Sequence, residues 1–205
     1  MQHNLDLFEQ DPTENYLPFD GTVEYLPHFL TPTAANQFFE VLLQQVSWQR
    51  DEVFVAGKYI QTSRKIAWYA DQAFSYHYSG TTKYAKPWLP ELFILKQKIE
   101  QATGEQFNTC LLNLYHTGAE GLGWHSDSEP EISPSSAIAS LSLGVVRKFV
   151  FKHRQRAFKV QLQLESGSLL LMKDQTQQYW QHSLPKMRNV EQARMNLTFR
   201  KMRDE

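Results

Sequence analysis

The chain has 205 residues, 41% of them hydrophobic, which is most economically one domain and long enough to bury a substantial core. Lysine and arginine number 21 against 22 acidic residues, and a formal net charge of −1 does not by itself announce a nucleic-acid binder. A single cysteine, Cys110, excludes an intramolecular disulfide and fits a reducing compartment.

Met1 to Asp11 is polar and acidic, with neither the basic start nor the apolar middle of a secretory signal. No apolar run approaches a membrane-spanning length, so a soluble, cytoplasmic protein is expected. Residues 1–20 are expected to form a tail or extended lead-in. A helix is predicted from Thr31 as N-cap and Pro32 at the first helical position, with Phe38, Phe39, Leu42, Leu43 and Val46 at helical spacing. A second begins near Pro90, carries Leu92, Phe93, Leu95 and Ile99, and ends at Gly104.

After Gly104 the periodicity changes to that of strands. They are predicted at 109–115, 137–143, 148–153, 159–164, 168–172 and 194–201, separated by Gly, Pro and charged turns. This spacing points to a double-sheet jelly roll, a mainly β or α+β fold with helices supporting it from outside. Cys110 falls in an apolar strand pattern, which favours a buried small hydrophobe over a catalytic thiol.

The chemistry gathers in this second half. His125-Ser126-Asp127 follows a Gly-containing turn, and His182 follows the strand at 168–172, where a jelly roll can return it beside the first pair. Two imidazoles and one carboxylate form a face that leaves other positions of an octahedral iron(II) open. Zinc could take the same ligands, and isolated histidines are usually structural. Arg194-Met195-Asn196-Leu197-Thr198-Phe199-Arg200 bears on the choice, because strand alternation puts Arg194, Asn196, Thr198 and Arg200 on one face. Two guanidiniums on a polar face want an anion, and a dicarboxylate such as 2-oxoglutarate offers a carboxylate at each end. A hydrolytic zinc site would not explain them. By the same alternation Asn113 and Tyr115 share the interior face of their strand, although Tyr115 alone could be an ordinary core aromatic.

These motifs resemble the AlkB family of iron(II)/2-oxoglutarate dioxygenases, which oxidatively remove alkyl groups from nucleic-acid bases. The resemblance runs from Arg64 to Lys201 through Asn113-Leu114-Tyr115, Gly123-Trp124-His125-Ser126-Asp127, 138–142, 167–170, His182-Ser183-Leu184-Pro185 and Arg194 to Arg200. It implies that His125, Asp127 and His182 bind Fe(II), and that Arg194 and Arg200 hold 2-oxoglutarate with help from Asn113 and Tyr115. Asn196 and Thr198 are expected to line or brace that pocket, with Arg194 at the distal carboxylate and Arg200 nearer the ketoacid end. Dioxygen is the second cosubstrate, and the products are succinate, carbon dioxide, formaldehyde and the restored base.

The resemblance also implies an organisation for 21–205 as one dioxygenase domain, 21–104 giving helical support and nucleotide recognition and 105–205 the jelly-roll core. Tyr76-His77-Tyr78-Ser79 resembles the segment that shapes the space around a flipped base, and stacking on Tyr76 and Tyr78 suits an enzyme that recognises damage rather than sequence. Glu129 matches a position that meets the base edge, and Arg64 is expected to touch the target strand. Lysines and arginines at 147–148, 152–156 and 200–203 are expected to meet a phosphate backbone at the active-site mouth.

Duplex-repair relatives carry a bulky aromatic finger where this chain has Val53-Phe54-Val55-Ala56-Gly57-Lys58, with Val55-Ala56 at the expected tip. Phe54 is displaced from the tip unless the loop shifts register, and a small wedge stabilises an emptied stack less, which weighs against strong duplex activity and leaves single strands open as substrate. The expected reaction is dealkylation of DNA bases such as 1-methyladenine and 3-methylcytosine, on single-stranded and duplex substrates. The alternatives are a dioxygenase acting on RNA, protein or a small molecule, and a non-enzymatic jelly-roll metal-binding module.

Overall fold

The computed structural model describes residues 14–203 apart from 56, 79, 80 and 135. In chain order the elements are β1 (Thr22–Leu26), α1 (Pro32–Gln45), β2 (Gln49–Val55), β3 (Lys58–Ala70), β4 (Ser75–Tyr78), β5 (Thr81–Tyr84), β6 (Lys86–Pro87) and α2 (Pro90–Thr103). There follow β7 (Thr109–Tyr115), β8 (Leu122–His125), β9 (Ile138–Gly144), β10 (Arg147–His153), β11 (Lys159–Leu164), β12 (Leu169–Lys173), α3 (Thr176–Tyr179), β13 (Trp180–Leu184) and β14 (Arg194–Arg200).

The two long helices start and stop where local chemistry dictates. The Thr31 side chain accepts a hydrogen bond from the Ala34 amide at 3.3 Å, and Pro32 occupies the first turn, where its missing N–H is no loss. Gly104 closes α2 in the left-handed region at φ 73°, its N–H donating to the Glu100 carbonyl at 2.9 Å.

Two sheets make the jelly roll. The larger runs β1-β12-β9-β14-β7-β3-β2, with β6 beside β3, and the smaller runs β11-β10-β13-β8. On the outer face of the larger sheet Leu112, Leu141, Leu197 and Phe199 pack with Leu42, Leu92, Leu95 and Ile99 of the helices, all fully buried. Between the sheets lies a second core that includes Val23, Leu170, Phe151, Leu164 and Trp180. The helices therefore cover one face of the larger sheet, and the other is left for the site.

Two expectations are corrected. Helices do not precede strands as a block: among the described residues β1 to β6 all lie before Gly104, and β3, 13 residues long, pairs along β7. Its sequence, KYIQTSRKIAWYA, hides this because polar and apolar residues occupy both faces. Of the tail or lead-in expected over 1–20, residues 1–13 lie outside the described residues, and 14–20 form a packed lead-in and not a free tail. Leu17 is buried, the Asn15 side chain accepts from the amides of Leu17 and Val23 at 3.0 and 2.9 Å, and Phe19 stacks on Trp180. No helix among the described residues is long and apolar enough to cross a membrane.

Candidate active site

Strand register arranges the inner face of the larger sheet into rows. Tyr115 of β7 lies opposite Arg194 of β14, Asn113 opposite Asn196, and Asn196 in turn opposite Ser142 of β9. Further along, Trp68 of β3, Leu111, Thr198 and Ser140 form another row, and Arg200 pairs with Thr109. All of these except Ser142 line one cavity, together with His125, Asp127, Glu129 and His182 contributed from above. Met195, Leu197 and Phe199 face the helices, as alternation predicts.

The upper wall is the smaller sheet, where His182 of β13 stands directly opposite His125 of β8. Their Nε2 atoms are 3.1 Å apart, and the His125 Nε2 lies 3.8 Å from the Asp127 carboxylate. One ligand atom from each of the three residues lies within 4.8 Å of the others. The Nδ1 of His125 faces the Gly123 carbonyl at 2.9 Å, a contact that puts the ring proton on Nδ1 and frees Nε2 to ligate. Two imidazole lone pairs at such a separation repel unless a cation lies between them, so the donor set fits a divalent metal. Asp127 is held from behind by its own amide, which donates to the Gln177 side chain at 2.9 Å.

Charge states agree with ligation. Burial alone would raise the Asp127 pKa, but Arg200, His182 and His125 outweigh it and leave the carboxylate at about 2. Burial drives His182 down to about 3, keeping it neutral. The nearest cation to Asp127 is Arg200, at 2.9 Å.

Arg194 is a different case. It is 2% exposed, donates to the Ser142 hydroxyl at 2.9 Å, and has no carboxylate partner among the described residues. Its Nε has no hydrogen-bond partner among the described residues. Burial lowers its pKa to about 10, which still leaves it charged at neutral pH. A buried guanidinium lacking a counterion is costly, and an anion entering the cavity relieves it.

The other expected residues divide. Glu129 lines the cavity beside Asp127. Arg64 lies in the cavity wall, 9% exposed and paired with buried Asp51. Tyr76 and Tyr78 belong to β4, which pairs with β5 in a hairpin; their side chains lie outside the described residues, as do Ser79 and Ala56. The basic clusters also divide. Arg147 is fully buried and donates to the carbonyls of Glu120 and Pro185 at 2.8 and 3.0 Å, so it ties loops together and meets no phosphate. Lys152 and Arg154 stay at the rim: the Lys152 ammonium sits 4.7 Å from the exposed Trp124 ring, and Arg154 donates to the Ser126 hydroxyl.

Sequence reasoning missed Asp51, Trp68, Ser142 and Gln177. Ser142 could have been found, because its strand alternates Ser with Leu and so marks a polar inner face.

This double-stranded β-helix, with two histidines and an aspartate over an arginine-bearing strand, defines an iron(II)-dependent oxygenase of the 2-oxoglutarate class. Residues 22–200 match the model of the 2OG-Fe(II) oxygenase superfamily. The chain is 40% identical over 179 residues to the DNA oxidative demethylase ALKBH2 of Mus musculus, covering 82% of this chain and 75% of that protein. It is 36% identical over 184 residues to the alpha-ketoglutarate-dependent dioxygenase alkB homolog 3 of Bos taurus, covering 85% and 64% respectively. The solved structure of OsALKBH1 shares the fold, with a TM-score of 0.59 and 18% identity over 87% of this chain and 97% of that one. The protein belongs to the AlkB family within that superfamily. Its cofactor is iron(II), and 2-oxoglutarate and dioxygen are its cosubstrates.

Proposed function

We propose that the protein removes alkyl groups from N-alkylated DNA bases, 1-methyladenine and 3-methylcytosine among them, with release of formaldehyde and succinate. The observation that carries the reading is the buried, carboxylate-free Arg194 on the same strand face as Arg200, which touches the metal ligand Asp127. That face suits a dicarboxylate lying with one end toward the metal. Iron(II), once bound with 2-oxoglutarate and dioxygen, supplies the oxidant that hydroxylates an N-alkyl carbon.

The chain's own residues do the rest. His125, Asp127 and His182 hold the metal on one side, leaving its other positions to cosubstrates. Arg194 grips the distal carboxylate with Tyr115 beside it, and Arg200 faces the ketoacid end with Asn113. Asn196, whose amide donates to the Ser140 hydroxyl at 2.8 Å, and Thr198 brace the floor. Glu129 meets the base edge, where a carboxylate suits the positive charge that N-alkylation leaves on these bases. Tyr76 and Tyr78 stack on the flipped base, with Ser79 following them in the same segment.

Similarity to proteins named as DNA oxidative demethylase supports DNA as the polymer. The rim supports a strand: Trp124 offers an exposed ring for a neighbouring base, while Lys152 and Arg154 offer cations for phosphates. Single-stranded DNA is the preferred form, because the expected finger tip, Val55-Ala56, is small. The protein acts as a monomer.

The test is formaldehyde release with mass analysis of methylated single-stranded DNA, duplex DNA and RNA, under iron(II), 2-oxoglutarate and ascorbate. Stoichiometric demethylation of DNA is expected. Succinate without demethylation of any of the three would keep the dioxygenase and discard the nucleic-acid substrate.

A further inference from the structure

The pair Asp51 and Arg64 has no part in the roles given so far. The ladder between β2 and β3 runs Gln49 to Ile66 and Arg50 to Lys65, then shifts to Glu52 opposite Gln61. Asp51 sits in that irregularity with Thr62, Ser63 and Arg64 across from it. Bulges re-aim side chains, and this one turns the Asp51 carboxylate into the cavity wall, where it is 1% exposed and hydrogen-bonded to the Arg64 guanidinium.

Placing both charges in a protein wall costs desolvation, which points to a use for the pair beyond holding the hairpin together. The register shows where that use lies. Lys65 is opposite Leu114, so Arg64 stands level with Tyr115 on the next strand, and the other neighbour of Tyr115 is Arg194. All three line the same cavity, and Arg64 interacts with the Tyr115 side chain as well as with Asp51. Within its row Tyr115 is thus held between two guanidiniums, while that of Arg147, bonded to loop carbonyls, lies 5.9 Å from its ring. One has its carboxylate already, and the other lacks one.

We infer that Asp51 is a positioning residue for the cosubstrate pocket: it fixes the Arg64 guanidinium beside Tyr115 and keeps it from competing with Arg194 for the incoming carboxylate. This rests on the reading that Arg194 and Tyr115 receive 2-oxoglutarate. It adds a residue that never touches the cosubstrate and belongs to the hairpin on the nucleotide-recognition side, so cosubstrate affinity depends on how that hairpin sits.

The experiment is a titration of 2-oxoglutarate into manganese(II)-loaded protein, followed by tryptophan fluorescence, since Trp68 lines the cavity. Wild type is expected to bind. D51N and R64K are each expected to bind about tenfold more weakly with unchanged manganese affinity, the loss typical of removing the partner that orients a ligating group. R64K retains the charge that Asp51 needs but not the planar fork, so it carries the test if D51N folds poorly. D51N combined with Y115F is expected to lose no more than Y115F alone, because the residues act as one unit. Wild-type affinity in both single variants, or additive losses in the double, overturns the inference while leaving the cosubstrate site intact. Failure of wild type to bind 2-oxoglutarate overturns both.

Discussion

The guanidinium of Arg200 lies 2.9 Å from the carboxylate of Asp127, so the last residue of the arginine strand touches a metal ligand. One side chain therefore serves the metal and the cosubstrate, and it is the nearest of the cations that hold Asp127 ionised. Arg200→Ala is expected to raise the 2-oxoglutarate KM by about tenfold or more, the loss of a charge-assisted contact, while the fold stays intact. Asp127→Ala is expected to abolish turnover. Succinate formation, measured alongside circular dichroism, checks both; wild-type succinate from either variant would remove these residues from the site.

Arg194 gives an expectation of the opposite sign for stability. Its charge is buried without a carboxylate, so Arg194→Met is expected to leave the Tm of the cosubstrate-free protein unchanged or higher. The stabilisation that 2-oxoglutarate gives to wild type is expected to vanish in the variant. Thermal melts with and without 2-oxoglutarate decide this, and a fall in the ligand-free Tm would mean that Arg194 is a structural cation.

Acid sensitivity follows from His182. In the fold its pKa is about 3 against an ordinary 6.5, so between these values the unfolded chain holds a proton that the native protein does not. Stability is lost as pH falls through that window. Asp127, at about 2 against 3.8, erodes stability only at lower pH. Metal-free protein is expected to melt at lower temperature at pH 5 than at pH 7, and His182→Gln is expected to remove much of that difference. Equal pH dependence in the two proteins would contradict the buried neutral imidazole.

The rim and the interior differ in their response to salt. Lys152→Ala and Arg154→Ala are each expected to reduce the slope of log affinity for single-stranded DNA against log salt by about one phosphate contact. Arg147→Met is expected to lower the Tm and leave that slope alone, because its donors serve loop carbonyls. A slope change in Arg147→Met would place it on the nucleic acid after all.

A bulkier finger is expected to change substrate form. Val55→Phe is expected to raise repair of duplex relative to single-stranded DNA, measured as a ratio of initial rates. An unchanged ratio would put the finger elsewhere in the hairpin.

The metal face and the arginine strand were legible because each is written in consecutive residues: His125-Ser126-Asp127 within one loop, and Arg194 to Arg200 within one strand whose alternation sorts the faces. Both helix ends were legible for the same reason, since Thr31-Pro32 and Gly104 act locally. Asp51 was not, because it reaches the cavity through a register shift that depends on the partner strand. β3 was hidden because polar and apolar residues mix on both of its faces, the cavity-lining Arg64, Ile66 and Trp68 among them. Arg147 misled for the converse reason: a charged residue next to Lys148 suggests a surface patch, and only the tertiary fold supplies the carbonyls that bury it.

β14 lies in the interior of the larger sheet, flanked by β9 and β7, whereas β2 lies at its margin and joins β3 in the hairpin that carries Val53 to Gly57. Backbone amides on β14 are therefore expected to exchange only when the whole domain opens, and amides at the margin earlier.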